Sequence, residues 1–401
     1  MELIFLLIVF AVIIVLLWFK RPLYQAIIGG ILVMAVLFRF SFLSSIEQVT
    51  KIFTNWGSLS VLVSLYLITY FQRQLEARNQ IKLAQQNLNG LINNRRLNSI
   101  LACVFVGLLP SAAATKLCGE IMEDNAENYL EESEKAYITN WMRHVTECVL
   151  PTYTGVLLIC SMSKIEIAEF MLYMAVPVII IIALGYFTAI RKLPIDTGTP
   201  LSENRKQNVI NLFKHLWSLI LVLVLIIVFG ISVVPAMLIT IIACVIVYKF
   251  KANELITFIK TAFEFNLLVN TFLVLVLKEF VSASGVLNIL PDVLSALPIP
   301  AFLVFALLFF FGGIVSGSNG IIALGTPLAI AAIPEGGAAF MALLMCMTHA
   351  SNQISPTHVC VIVAADYFKV PLGQMIKKTI PSAFALCILS IVYYVVITMI
   401  F

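Results

Sequence analysis

Long blocks of apolar residues follow one another along the chain, separated by short polar or basic stretches. The alternation of a half-buried strand is absent, so the pattern predicts helices throughout. A helix crossing about 30 Å of hydrocarbon needs about 20 mostly apolar residues. Ten segments qualify, some of them short of that length: 2–19, 23–37, 56–71, 141–163 and 171–190, then 209–229, 231–248, 263–277, 340–368 and 379–401. Two further stretches are interrupted. Residues 99–117 carry Pro110 and a polar break at 111–115 and end beside Lys116. Residues 293–334 are uncharged for 42 positions, about twice one crossing, with a Gly/Ser break in the middle. Each is read as a hairpin that enters and leaves on one side.

Composition agrees. The 401 residues are 61% apolar and 11% charged, with a mean hydropathy of +1.03. Soluble domains carry about 45–50% apolar and about 25% charged residues. A soluble globule, a disordered chain, a coiled coil, collagen and a nucleic-acid binder are therefore excluded. The eight cysteines lie in or beside apolar runs with no CxxC pair, and read as small packing residues. Residues 1–19 lack a basic leader and a cleavage motif, and read as an uncleaved first span.

The Lys and Arg residues orient the chain. With ten crossings and two hairpins, 18 fall on one side and 4 on the other, with Lys116, Arg143 and Lys214 inside segments. The basic side is cytoplasmic. Both termini are then outside and the 72–98 segment inside. That segment mixes Leu83, Leu88 and Leu91 with Arg73, Arg78, Lys82, Arg95 and Arg96, a pattern for a helix lying in the interface or for a plain cytoplasmic loop.

The two halves of the chain rhyme at an offset of 205. Phe105, Gly107 and Ser111 fall on Phe310, Gly312 and Ser316; Met142, His144, Pro151 and Thr152 fall on Met347, His349, Pro356 and Thr357, with Thr146 facing Ser351. Five crossings per half is an odd number, so the copies are expected to be inverted. Inverted repeats whose broken helices face each other near the midplane are the architecture of secondary transporters. The expected fold is thus an all-α polytopic membrane protein of two inverted five-helix repeats, each with a re-entrant hairpin and a broken helix.

Non-helical backbone at membrane depth is tolerated only where it is buried or lines a wet cavity. The breaks therefore supply the candidate site. Gly312, Gly313, Ser316, Gly317, Ser318, Asn319 and Gly320 cannot stay helical cheaply, at about 1 kcal/mol per Gly. Their freed amides and hydroxyls can cradle an anion or coordinate Na+. In the first half the counterpart is Ser111 to Thr115 with Lys116 at its edge. Pro151 and Pro356 each remove a backbone donor; around them stand Thr146, Glu147, Thr152 and Thr154, and Ser351, Asn352, Gln353, Ser355 and Thr357.

Ser318–Asn319–Gly320 at a hairpin tip, Ser355–Pro356–Thr357 and Pro151–Thr152 at the helix breaks, and the doubled layout together resemble the ion transporter superfamily. That group includes arsenite permeases, divalent-anion/sodium symporters and several sodium/proton antiporters. More narrowly, the chain resembles an uncharacterised ten-span prokaryotic family grouped with them. Ala112–Ala113–Ala114 departs from the hydroxyl-bearing tip expected in the first half. The resemblance implies an elevator-type carrier in the inner membrane of a prokaryote, acting as a homodimer. Residues 97–196 and 298–401 would then move against a scaffold of 1–96 and 197–297, the repeats being 1–196 and 197–401.

Among single residues, His144 and His349 are candidates for proton coupling, since imidazole titrates near neutral pH; the bland reading is that each hydrogen-bonds its broken helix. Glu147 is an acid inside a span, functional by default, while its counterpart Asn352 is neutral. A salt bridge to Arg143 or Lys116 would also account for it. His358 and Asp366 read as structural or gating, His215 as interfacial. The acids between Glu120 and Glu134 read as solvating a connector.

The leading expectation is a secondary carrier for a small, carboxylate-like anion, coupled to Na+ or H+ and using Ser111, Thr115, Thr146, Glu147, Pro151, Thr152, Ser316–Gly320, Ser351, Asn352, Ser355, Pro356 and Thr357. No organic cofactor, nucleic-acid partner or metal beyond Na+ is expected; the bilayer is the other partner. The alternatives are a Na+/H+ antiporter using Glu147 and an intramembrane serine hydrolase with Ser318 as nucleophile and His349 or His358 as base.

Overall fold

The computed structural model describes residues 2–19, 21–89, 91–108, 112–126, 128–196, 204–296 and 298–400, and among them all regular structure is helical. Helices α1 (Glu2–Trp18) and α2 (Leu23–Leu37) form an apolar pair. Next comes α3 (Phe42–Thr54), which hydropathy alone does not mark. It exposes Phe42, Leu43 and Ile46 while burying Gln48 and Ile52, and the Ser41 hydroxyl caps it by accepting from the Ser44 amide at 3.1 Å. The chain then bends by 61° into α4 (Trp56–Ala77).

Helix α4 runs beyond the predicted end at residue 71, and the rest of the 72–98 segment is shorter than one continuous arm. Asn79 turns with φ 49° into α5 (Gln80–Asn89), which packs on a helix of the second half. Helices α6 (Arg95–Val106) and α7 (Ala112–Ala126) fold back on each other, the Cys118 thiol meeting the Cys103 carbonyl at 3.7 Å. Helix α8 (Glu132–Arg143) and helix α9 (Thr154–Ser163) are separated by an irregular stretch, 144–153, and α10 (Ile167–Thr188) follows.

The second half begins with α11 (Arg205–Ile227), the helix that receives α5, then α12 (Val233–Tyr248) and the amphipathic α13 (Ala252–Thr261). Helices α14 (Phe265–Ala283) and α15 (Val286–Ser295) lead into α16 (Ala301–Ala332). The last three are α17 (Gly337–Ile354), α18 (Val359–Tyr367) and α19 (Leu372–Ile400).

Helix α16 is a hairpin in geometry. Gly317 has φ 74° and ψ 167°, a backbone that side-chain-bearing residues rarely adopt. A methyl added at Gly325 would lie 2.4 Å from the Phe309 ring, and one at Gly312 would lie 2.5 Å from Ile321. Residues 16 apart in a straight helix would be separated by about 24 Å, so the two arms run antiparallel about Gly317.

The inner arm meets α17 as closely. A Cβ at Gly313 would stand 2.1 Å from the Ser351 hydroxyl but 3.1 Å from Ser351 Cβ. Gly313→Ala is therefore expected to lower the melting temperature, and adding Ser351→Ala to restore most of the loss. Two independent penalties that simply add would show that this contact is not the cause.

By length and composition, α10, α11, α14, α16 and α19 can cross a membrane, and the bent α3–α4 pair makes six. Helices α1, α2 and α12 are apolar but shorter, and the predicted spans 141–163 and 340–368 are each two helices. Large apolar side chains face outward, among them Leu32, Leu172, Ile179, Ile246 and Ile388, each at least 60% exposed. So many exposed large apolar side chains fit a surface that faces lipid.

Charge pairs gather away from these faces. Arg73 meets Glu264 at 2.7 Å and Arg78 meets Glu254 at 2.8 Å, joining α4 to the second half. At the start of α8, Lys135 bridges Glu132 and Glu123 of α7, and Glu134 receives Lys192 and Lys378. Much of the acidic cluster read as solvating is thus paired.

Candidate functional site

Three irregular places in the chain meet: the 144–153 stretch, the turn between α17 and α18, and the Gly317 turn of α16. Between them lies a cavity of about 270 Å3. Its polar wall is made by Arg143, Glu147, Tyr153, Thr154, Ser318, Asn319, Thr348, His349, Asn352, His358 and Cys360. Helix α9 starts at the cavity with Thr154 and α18 starts there with Val359; the second arm of α16 begins beside it at Ser318. Helix N-termini present free amides and partial positive charge.

The backbone around the first break is fixed by its own side chains. Thr146 Oγ1 donates to the Gly107 carbonyl at 2.6 Å, and the Tyr153 hydroxyl donates to the same oxygen. A Cβ at Gly107 would fall 2.2 Å from the Arg143 carbonyl oxygen, so hairpin α6–α7 touches the break backbone to backbone. At the second break, Ser355 Oγ donates to the Ile314 carbonyl at 2.9 Å and meets Thr357 Oγ1 at 3.0 Å. The Gly107 and Ile314 carbonyls, free in principle to coordinate Na+, already accept these bonds.

The ionisable groups form one connected set. Arg143, 3% exposed, places its Nη1 2.8 Å from His144 Nε2 and 3.2 Å from Cys360 Sγ. His144 Nε2 also faces His358 Nε2 at 3.0 Å and Glu147 Oε2 at 3.2 Å. Glu147 Oε1 accepts from Asn352 Nδ2 at 3.4 Å, so the two residues that occupy equivalent places at the 205 offset touch each other. A second chain runs behind: Asn140 Nδ2 donates to Gln353 Oε1 at 2.6 Å, and Gln353 Nε2 faces His349 Nε2 at 3.4 Å. His144, His358 and Cys360 have the mutual spacing of metal ligands. The Arg143 guanidinium bonds both His144 and Cys360, and a cation already between these donors disfavours a second one there.

The residues singled out from the sequence divide. Glu147, Ser318, Asn319, His349 and Asn352 line the cavity, and His144 stands directly behind it. Thr146, Ser316, Ser351 and Ser355 spend their hydroxyls on backbone carbonyls. Thr115 is buried beside Cys360, and Pro151 and Thr152 are buried near the first break. Gly317 and Gly320 shape the hairpin turn. Pro356 and Thr357 are exposed and do not line the cavity. Ser111 lies outside the described residues. No hydrogen bond joins Ser318 to His349 or His358 among the described residues.

Two members were underrated. Lys116, the cation favoured from sequence as an anion partner, is exposed and away from the cavity, whose cation is Arg143. His358, read as structural or gating, reaches His144 across 214 positions of sequence. The offset offered a signal, since it sets His358 on Tyr153, inside the other break.

A cavity that gathers polar side chains within a bundle of largely apolar helices fits a membrane-type helical protein. Residues 3–397 match the family described as "Protein of unknown function (DUF401)", and the chain belongs to that family. No curated protein matches it.

Proposed function

We propose that the chain is a secondary active carrier for a small carboxylate-like anion, working by alternating access. The observation that carries this is the cavity itself: a buried guanidinium, three adjacent helix starts and the amide side chains of Asn319 and Asn352 all offer positive charge or donors to one cavity. Anions bind where helix N-termini and a cation converge.

The doubled architecture supports carriage over simple binding. Helices α8, α9 and α10 begin 205 residues before α17, α18 and α19, and the other helices follow in matching order, with the two arms of α16 answering α6 and α7. Lys164 and Lys369, one offset apart, both turn with positive φ after α9 and α18. Packing is reciprocal across the halves: α2 meets α14 as α4 meets α12, and α10 meets α17 as α8 meets α19. We read this as two inverted repeats of five crossings, counting the short apolar helices and broken pairs as spans. On this reading the layout resembles that of the ion transporter superfamily, with the hairpins and their broken helices as the moving part.

The test is counterflow in proteoliposomes. Vesicles loaded with unlabelled acetate, lactate or succinate should accumulate the same labelled anion through the wild-type protein, saturably. Sodium flux driven by a pH gradient, with no exchange of any carboxylate, would replace this reading with the antiporter one.

A further inference from the structure

We infer that a second cavity, apart from the one already described, takes an organic ammonium ion, and that a ligand seated there pins together parts that move against each other. The binding stands on geometry alone; the pinning rests on the carrier reading.

This cavity, of about 330 Å3, lies where α4, α10 and α12 begin and α9 and α11 end. Most of its wall is valine, leucine and isoleucine. Its polar side chains are Ser60 and Ser64 of α4, Ser161 of α9, and Glu166 and Ser232 just before α10 and α12, with the indole of Trp56 beside them.

Two of these groups are left without partners. A hydroxyl on a helix commonly donates to the carbonyl one turn back, as Thr69 Oγ1 does to the Leu65 carbonyl at 2.9 Å further along α4. Ser64 is 4% exposed and lines the cavity, yet among the described residues its hydroxyl makes no hydrogen bond. A buried hydroxyl with neither water nor protein to bond is costly, so its partner has to come from the cavity. Glu166 stands before the first turn of α10 without capping it, and its carboxylate meets no basic group among the described residues.

Charge decides what the occupant is. Three helix starts against two helix ends leave about half an elementary charge of positive dipole. The full negative charge of Glu166, the one acidic or basic side chain of this wall, exceeds it. An anion is repelled there and a cation attracted. A bare metal ion needs several oxygen ligands at close range, and a single carboxylate in an apolar wall does not supply them. An ammonium group on an apolar body suits the whole wall. Its N–H groups donate to Glu166 and to the Ser64 oxygen, its body meets the aliphatic side chains, and the Trp56 ring attracts its charge.

The same cavity straddles the seam of the proposed movement. Ser60, Ser64 and Ser232 belong to the segments read as scaffold, Ser161 and Glu166 to those read as moving. Ser161 Oγ already reaches across, donating to the Gly57 carbonyl at 3.3 Å. An ammonium bonded to Glu166 on one side and Ser64 on the other ties the two together. It favours the arrangement in which they face each other and so opposes every other one.

Melting of the purified protein with benzylammonium tests the site without any substrate. Benzyl alcohol, which keeps the ring and loses the charge, is the control. Benzylammonium should raise the melting temperature saturably, as a ligand of the folded state does, and benzyl alcohol should not. The Glu166 carboxylate holds nothing else in place, so Glu166→Gln should melt with the wild type when no amine is present and lose the rise when it is. Ser64→Ala should shrink the rise. A rise kept in full by either variant, or matched by benzyl alcohol, overturns the site. Counterflow of labelled lactate tests the pinning. Benzylammonium at a concentration that saturates the melting response should stop exchange by the wild type and spare Glu166→Gln. Exchange untouched at that concentration overturns the pinning and leaves the carrier reading intact. If no carboxylate exchanges even without the amine, the carrier reading falls and the pinning with it, while the melting response still decides the site.

Discussion

Arg143→Gln is expected to abolish the proposed anion exchange in proteoliposomes. The guanidinium is the one cation at the cavity wall, and its Nη1 bonds both His144 and Cys360. Removing one member of a buried, hydrogen-bonded charge pair costs about 2–5 kcal/mol, and a loss of that size is roughly 30-fold to several thousandfold in affinity. Arg143→Lys is expected to fall nearly as far, because an ammonium cannot present two donors in a plane to a carboxylate while reaching His144. Stability separates the charge effect from the binding effect. Arg143→Gln strips Glu147 of its counter-charge and should lower the melting temperature. Adding Glu147→Gln should recover stability and leave exchange absent. Exchange within twofold of wild type in Arg143→Gln would remove the guanidinium from the site.

The second large effect is steric. Gly107→Ala puts a methyl 2.2 Å from the Arg143 carbonyl oxygen and 2.8 Å from Thr146 Oγ1. The first of these is backbone, held in a break already fixed by Thr146 and Tyr153, so it cannot swing aside. Overpacking of this kind costs about 1–3 kcal/mol and sometimes more, here spent at the point where hairpin α6–α7 presses on the cavity. Two controls isolate the cause. The equivalent Gly312 faces the flexible Cδ1 end of Ile321 at 2.5 Å, so Gly312→Ala should cost less. Gly373 has no atom within 4 Å of such a methyl, and Gly373→Ala should leave the melting temperature within a degree or two of wild type, as surface changes within about 0.5 kcal/mol do. Equal melting temperatures for Gly107→Ala and Gly373→Ala would refute the close contact.

The places where helices stop were readable because the residues responsible act locally. Gly317 needs no neighbour to break α16, and Pro151 and Pro356 lie in the two irregular stretches for the same reason. The amphipathic α3 and α13 were missed because their apolar residues occupy one side only, so a search for uninterrupted apolar runs passes over them. The extension of α4 to Ala77 was missed because polar Gln72 and Gln74 are buried there against the rest of the bundle. In the site, Glu147 and Asn319 stood out as polar groups in apolar surroundings. Arg143 was noticed only as a neighbour for Glu147, and its contact with Cys360 joins residues 217 apart. Such meetings depend on how two breaks dock, which no local pattern states.

All eight cysteines are free and seven are buried, yet two of the buried seven, Cys148 and Cys360, form part of the cavity wall. The chain thus carries its own chemical handle for the proposed opening of that cavity. If the proposed alternating access operates, a thiol reagent unable to cross the bilayer reaches Cys148 and Cys360 only from whichever compartment the cavity faces at that moment. Adding it first to one face of oriented vesicles and then to the other would time the exposure of each side without introducing a single foreign residue.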